Sequence, residues 1–379
     1  MKNTKMYLSE KYDFRFNEVL NRVEYRTKDE KSQNFFKILN DYQLNSIYVE
    51  LQESYINISK GNLRSLLESR FSERYDPIFN YFIQLPEWDK ERDYILELSN
   101  TVKVSNQEEF NWAFKKWIVA VVASATQRDV SNHTVLILTG KQGLGKSTWF
   151  QQMIPKSLKN YFFSGNIDPR DKDSVLQLSE NLIINMDELA SFDRKKIEQF
   201  KELITRPSSR VRRAYAQFSE NYPRRASFVG SSNERNILTD VSGNRRFLVF
   251  EALKIDCGKL INIDAVYSQA FNLSRFGFQY WFDENDINRV EANNEFFYQP
   301  SKEEELIKKY FRPGPEKGEK PELMNATEVI EYINLHSKGK KHYDLNNVVL
   351  GKVLSKMGFK QKKTNGLLKY EMSIKPIVD

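Results

Sequence analysis

Residues 134–149, TVLILTGKQGLGKSTW, restrict the possible folds of this chain more than any other stretch. The stretch opens with an apolar, β-branched run, Val135 to Leu138, which predicts a buried strand. A glycine-rich loop, GKQGLGKS, follows directly, and the next residues favour a helix. A strand–loop–helix unit of this kind binds polyphosphates, because the backbone N–H groups of the loop and the N-terminus of the helix face the phosphates. The stretch therefore predicts an α/β fold with a nucleoside-triphosphate site.

The residue types in this loop match the chemistry of ATP and Mg²⁺, which we predict as the cofactors. Lys146 is expected to reach the β and γ phosphates, and the Ser147 hydroxyl is expected to bind Mg²⁺. The alternative is a glycine-rich turn that binds no ligand. The residues predicted to bind the nucleotide are Gly140, Lys141, Gln142, Gly143, Leu144, Gly145, Lys146, Ser147 and Thr148.

A second short apolar strand, residues 181–186, ends in two adjacent carboxylates, Asp187 and Glu188. An acidic pair after a strand is by itself a common start of a loop. Behind a phosphate-binding loop, however, ATP hydrolysis needs one carboxylate in the Mg²⁺ shell and a second one to orient the attacking water. We therefore assign Asp187 to the metal and Glu188 to the water.

Two further segments predict groups that assist hydrolysis. Asn233 follows a third apolar strand, where it would contact the γ-phosphate or the attacking water. Arg245 and Arg246 precede a fourth strand and are candidates for the cation that stabilises the transition state. Such paired arginines are sometimes only surface charges. The sequence leaves open whether they act on their own subunit's nucleotide or on a neighbour's.

A basic segment, residues 208–225, alternates like a strand, a turn and a returning strand. Its arginines would contact a phosphate backbone, and Tyr215 would stack on bases. The alternative is an exposed arginine-rich face that pairs with neighbouring subunits. The predicted DNA contacts in this segment are Arg210, Arg212, Arg213 and Tyr215.

Taken in order, these motifs resemble the virulence-associated protein E family of P-loop ATPases from phages and other mobile elements. The segments that carry the resemblance are LTGKQGLGKST, IINMDELA, RVRRAY, FVGSSNE and SGNRRF. The family is related to superfamily-three helicases, which form AAA+-type rings. The resemblance implies a sensor at Asn233 and an arginine finger or sensor at Arg245 or Arg246. Relatives often carry an N-terminal primase, but too few residues precede this ATPase to hold one, so priming is not predicted and any primase would be a separate chain.

The composition is that of a globular protein with an excess of positive charge. The net charge of +7 favours a polyanionic partner, and the single cysteine, Cys257, fits a reducing compartment. The N-terminus lacks the apolar region of a secretory signal, and the longest apolar run, residues 117–125, is too short to span a bilayer. We therefore predict a soluble, cytoplasmic protein.

The remaining chain predicts small flanking domains around an AAA+-like P-loop core. The last domain reads as helix, helix and basic hairpin, a winged-helix-like order in which Lys352, Lys356, Lys362 and Lys363 would contact DNA. The alternative is a protein-interaction domain with solvated lysines. The predicted regions are an α+β module (1–74), an aromatic helical connector (75–130), the ATPase with a helical lid (131–300), a helix and linker (301–322) and the winged-helix-like domain (323–379).

Together these features favour an ATP-driven ring, possibly a hexamer, that translocates on single-stranded or forked DNA and unwinds it during replication of a mobile element. The main alternative is a nucleotide-dependent regulator or defence factor that assembles with a partner and does not unwind DNA. A DNA-stimulated ATPase rate would separate these two functions.

Overall fold

A computed structural model describes a mixed α/β protein with several sheets. The described residues are 1–28, 35–168, 170–187, 194–213, 217–238, 244–315, 320–337, 342–364 and 366–376. The chain divides into two compact units, Met1–Arg235 with Gly243–Phe296, and Asn236–Ser242 with Phe297–Asp379. No helix in the described ranges is long and apolar enough to cross a membrane.

The first unit begins with a small α+β module. Strands β1 (Tyr12–Asn17) and β2 (Arg22–Thr27) form an antiparallel hairpin. Strand β3 (Lys37–Ile38) pairs with β2, and β4 (Glu73–Tyr75) pairs in parallel with β1. The helices of the module are α1 (Lys2–Lys11), α2 (Asp41–Glu53) and α3 (Lys60–Leu67). Helix α3 is capped by Ser59, whose side chain accepts a hydrogen bond from the backbone N–H of Asn62.

A helical connector leads into the central sheet. It consists of α4 (Pro77–Gln84), α5 (Tyr94–Ser99), β5 (Val102–Val104) and α6 (Gln107–Thr126). The aromatic stripe predicted on α6 is core, because Phe110, Phe114 and Trp117 are fully buried.

The central sheet has six strands in the order β5-β12-β6-β11-β8-β7, and all of them except the edge strand β5 run parallel. Its further strands are β6 (Val135–Thr139), β7 (Phe162–Ser164), β8 (Ile183–Met186), β11 (Ser227–Ser232) and β12 (Phe247–Ile255). Strands β6, β8 and β11 are buried along their whole length, which explains their nearly continuous apolar sequences. Strand β12 is longer than its neighbours and continues to Ile255.

Helices α7 (Lys146–Gln152), α8 (Lys172–Glu180) and α9 (Arg194–Thr205) and one hairpin lie between strands of this sheet along the chain. Helices α10 (Ile263–Arg275) and α11 (Glu284–Asn294) follow its last strand, β12. The predicted basic hairpin is confirmed as β9 (Ser208–Val211) paired antiparallel with β10 (Glu220–Pro223).

The second unit packs three helices against a small antiparallel sheet. Its elements are α12 (Lys302–Tyr310), β13 (Phe311–Pro313), β14 (Glu322–Met324), α13 (Ala326–Leu335), α14 (Asn347–Lys356), β15 (Gln361–Thr364) and β16 (Leu367–Ile374). A capping box begins α13, since Asn325 and Glu328 exchange side-chain-to-backbone hydrogen bonds. The predicted hairpin is confirmed as β15–β16, although Asn365 of its turn lies outside the described residues.

Candidate nucleotide site

The phosphate-binding loop connects β6 to α7, as the sequence predicts. Its backbone requires glycine at specific positions. A Cβ on Gly140 would lie 2.5 Å from the carbonyl oxygen of Ala252 on the neighbouring strand. Gly145 has φ +88°, and a Cβ there would lie 2.8 Å from Cys257 Sγ. Glycine is therefore the residue that lets the loop fold tightly against β12 and lead into α7.

Lys146 points into this loop. Its Nζ donates hydrogen bonds to the carbonyl oxygens of Gly140 (2.7 Å) and Lys141 (2.9 Å) and to Asn233 Oδ1 (3.2 Å). Burial lowers the pKa of Lys146, which is a signature of a charge held in a partly dry site. The structure thus brings together two predicted site residues, Lys146 and Asn233, that are far apart in the sequence.

The predicted metal ligands also meet at this edge of the sheet. The Ser147 hydroxyl donates to Asp187 Oδ1 at 3.2 Å, and the Ser231 hydroxyl donates to the same oxygen at 3.1 Å. Hydroxyl and carboxylate oxygens are the protein ligands that Mg²⁺ prefers, so this set of donors fits the predicted ion. Glu188, the residue assigned to the attacking water, lies outside the described residues.

Sequence reasoning missed three polar residues that surround Asp187: Ser164, Asn185 and Ser231. Ser164 Oγ donates to Asp187 Oδ2 at 2.8 Å. Asn185 Nδ2 donates to Asp187 Oδ1 at 2.7 Å and to Ser164 Oγ at 3.0 Å. One signal was present in the sequence, because Asn185 interrupts an otherwise apolar strand next to the predicted metal ligand.

Arg245 and Arg246 lie at the opposite edge of the sheet. They occupy a short 3₁₀ helix immediately before β12, whose first residue, Phe247, pairs with Val135 at the start of β6. Because Arg246 precedes Phe247, about six residues at about 3.3 Å each separate its level from Gly140, a distance of roughly 20 Å along β6. Burial, together with the charges of Arg224 and Arg246, lowers the pKa of His133 just before β6, which places Arg246 near this amino edge.

The predicted DNA-binding arginines of the β9–β10 hairpin fall into two groups. Arg210 and Arg212 are exposed. Arg213 instead forms an ion pair with Glu180 and donates to the carbonyl oxygen of Leu20 at 3.3 Å. The guanidinium of Arg213 is therefore already bound within the protein, and its assignment to DNA stays a prediction. Tyr215 lies outside the described residues.

The basic residues of the second unit divide in the same way. Lys352, Lys362 and Lys363 are exposed on α14 and β15. Lys356 is exposed as well, but its Nζ donates to Tyr298 Oη at 2.8 Å and to the carboxylate of Glu304 at 3.3 Å. Three of the four predicted lysines are thus open to a ligand, and the fourth has an internal carboxylate partner.

Comparison with known proteins gives one family and several solved structures. The family described as the virulence-associated protein E-like domain matches residues 83–299, more than half of the chain and all of the predicted nucleotide site. Two apo structures of the NrS-1 C-terminal region each cover 98% of this chain and 98% of their own, with identities of 12% and 11% and TM-scores of 0.46 and 0.49. A third NrS-1 structure covers 80% of this chain and 76% of its own, at 15% identity and a TM-score of 0.45. No curated protein matches the chain.

Proposed function

Because this chain belongs to the virulence-associated protein E-like domain family, we propose that it is an ATP-hydrolysing DNA helicase or translocase that works as a ring. Its task would be the replication of a phage or another mobile element. The observation that carries this proposal is the convergence of Lys146, Ser147, Asp187 and Asn233 at the carboxyl edge of the sheet. These residues come from three separate strand ends, and each has the chemistry that ATP hydrolysis requires.

The strand order supports an AAA+-like P-loop core. Strand β11, which ends before Asn233, lies between the phosphate-loop strand β6 and the acidic strand β8. This order places Asn233 between the phosphate-binding loop and Asp187. An asparagine in that position would orient the attacking water, because its amide can both donate and accept hydrogen bonds.

The residues of the site would share the chemistry as follows. Lys146 would exchange its carbonyl partners for phosphate oxygens and neutralise part of their charge. Ser147 and Asp187 would hold Mg²⁺, which supplies further charge neutralisation when it is bound. Glu188 would accept hydrogen bonds from the attacking water and take up its proton.

The arginine pair would complete the site from a neighbouring subunit. Within one chain, Arg245 and Arg246 lie roughly 20 Å from the phosphate-binding loop, a distance that an arginine side chain does not span. A ring can place the amino edge of one subunit's sheet against the carboxyl edge of the next. The strand polarity therefore supports a finger in trans and argues against a sensor in cis.

DNA would be held by exposed basic groups in each unit. Arg210 and Arg212 on the β9–β10 hairpin offer guanidinium groups to a phosphate backbone. In the second unit, the order of α13, α14 and the β15–β16 hairpin is that of a winged-helix domain, with Lys352, Lys362 and Lys363 exposed. The net charge of +7 is consistent with such a polyanionic partner.

The ATPase rate of the purified protein, measured with and without single-stranded DNA, tests this function. We expect hydrolysis that DNA stimulates strongly, in a protein whose native mass shows a ring. Lys146→Ala is the control, and it should abolish hydrolysis in both conditions. Hydrolysis that DNA does not change would favour the nucleotide-dependent regulator. No hydrolysis in either condition would contradict the proposed enzyme.

A further inference from the structure

Four hydrogen bonds hold the carboxylate of Asp187. Its Oδ1 accepts from Ser147, Ser231 and Asn185, and its Oδ2 accepts from Ser164. The two oxygens are therefore not equivalent, because Oδ1 faces the phosphate-binding loop while Oδ2 is turned toward the end of β7. This asymmetry bears on which divalent cation the site would prefer, a property that the loop motif alone does not specify.

Asn185 and Ser164 cause this asymmetry. In the parallel register of β7 and β8, Ser164 lies opposite Asn185, and Asn185 lies on the same face of β8 as Asp187 two residues later. Asn185 Nδ2 donates to Ser164 Oγ, which in turn donates its single proton to Asp187 Oδ2. Because Asn185 also donates to Asp187 Oδ1, the three side chains form a closed cycle of hydrogen bonds.

The stability of the fold does not by itself explain why Asn185 stands at this position. Its side chain is fully buried, and its Oδ1 has no hydrogen-bond partner among the described residues. A buried carbonyl oxygen without a partner costs about 1–3 kcal/mol. Both donors of the amide are used on Ser164 and Asp187, so its contribution is to fix that carboxylate.

We propose that Ser164 and Asn185 are positioning residues that restrict Asp187 to one metal-facing oxygen and thereby favour Mg²⁺ over Ca²⁺. Octahedral Mg²⁺ takes one oxygen from a carboxylate, whereas the larger Ca²⁺ readily accepts both. With Oδ2 held by Ser164 and one side of Oδ1 held by Asn185, Asp187 would offer Oδ1 alone to the ion once the Ser147 hydroxyl turns its oxygen to the metal. This inference rests on the proposed function, because it assumes that ATP and a divalent cation bind at this loop.

The test measures divalent-cation affinity and not turnover. Mn²⁺ binding to the protein with a non-hydrolysable ATP analogue is followed by electron paramagnetic resonance, and Mg²⁺ and Ca²⁺ are then added as competitors. We expect Ser164→Ala to weaken Mg²⁺ about tenfold, as loss of an outer-shell partner does, and to weaken Ca²⁺ less. Metal-free binding of the analogue should stay unchanged.

Two further variants control for general damage. Ser164→Thr keeps the hydroxyl and should restore the preference for Mg²⁺. Ser274→Ala removes a hydroxyl that donates to the carbonyl oxygen of Phe271 at a comparable 2.8 Å and should leave both affinities unchanged.

The outcomes separate this inference from the proposed function. If Ser164→Ala binds Mg²⁺ and Ca²⁺ within about twofold of the unmodified protein, the positioning role is wrong while ATP binding stands. If the unmodified protein binds neither the ATP analogue alone nor Mn²⁺ together with the analogue, both the proposed function and the positioning role are wrong.

Discussion

The two edges of the central sheet carry opposite kinds of chemistry. At the carboxyl edge, donors and acceptors form two hydrogen-bonded pairs, each 3.2 Å long: Lys146 with Asn233, and Ser147 with Asp187. The amino edge carries the cations Arg224, Arg245 and Arg246. In the proposed function, a nucleotide at the carboxyl edge would have most of what hydrolysis needs, while the candidate arginines stand at the other edge.

Under the proposed function, this difference implies that a complete site is built from two subunits. Parallel strands place all their carboxyl ends at one edge and all their amino ends at the other. A residue immediately before β12 can therefore never approach a loop that follows β6 within the same sheet. The arginines become useful to hydrolysis only if another copy of the chain brings its amino edge to the nucleotide.

The strongest effect is expected at the amino edge. Replacing both Arg245 and Arg246 with alanine should lower kcat by about 10³–10⁵-fold, because a finger in trans contributes that much to the rate. ATP affinity in isolated subunits should be unchanged, since the pair is remote from that subunit's own loop. Steady-state hydrolysis and equilibrium nucleotide binding check the two parts. Arg128→Ala, at an exposed position before β6, is the matched control and should alter neither quantity.

At the carboxyl edge, Glu188→Gln should bind ATP normally but hydrolyse it about 10²–10⁴-fold more slowly. The variant keeps Asp187 for the metal and loses the group that takes the proton from water. Nucleotide binding measured beside single-turnover hydrolysis separates the two properties. A normal rate of hydrolysis would show that the carboxylates have been assigned to the wrong roles.

A smaller effect distinguishes two adjacent arginines of the β9–β10 hairpin. Arg212→Ala should lower the slope of log affinity for DNA against log salt by about one, and it should leave stability nearly unchanged. Arg213→Ala should instead reduce the free energy of unfolding by about 1–3 kcal/mol, because Glu180 loses its partner.

Salt titrations of DNA binding and thermal unfolding of both variants make this comparison. Burial already raises the pKa of Glu180 despite the charge of Arg213, so its carboxylate depends on this pairing. If Arg213→Ala unfolds at a normal temperature and also lowers the slope of log DNA affinity against log salt, Arg213 contacts DNA and its pairing with Glu180 is not needed for stability.

Local motifs could be predicted from the sequence, whereas relations across the sheet could not. The loop around Lys146 and the position of Asp187 follow from short patterns in which each residue type has a chemical reason. The contact of Ser164 with Asp187 depends on which strands are neighbours, and the opposite locations of Lys146 and Arg246 depend on strand polarity. Arg213 differs from Arg212 because Glu180 on α8 and the carbonyl oxygen of Leu20 in the N-terminal module, both distant in sequence, bind its guanidinium.

The central claim is that the arginine pair acts across a subunit interface, and a mixing experiment tests it most directly. Lys146→Ala chains, which keep their arginines, are combined with Arg245→Ala/Arg246→Ala chains, which keep their phosphate-binding loop. Native mass spectrometry confirms that mixed assemblies form, and ATP hydrolysis is then measured. The account predicts that the mixture regains activity that neither variant has alone. Mixed rings that remain inactive would contradict it.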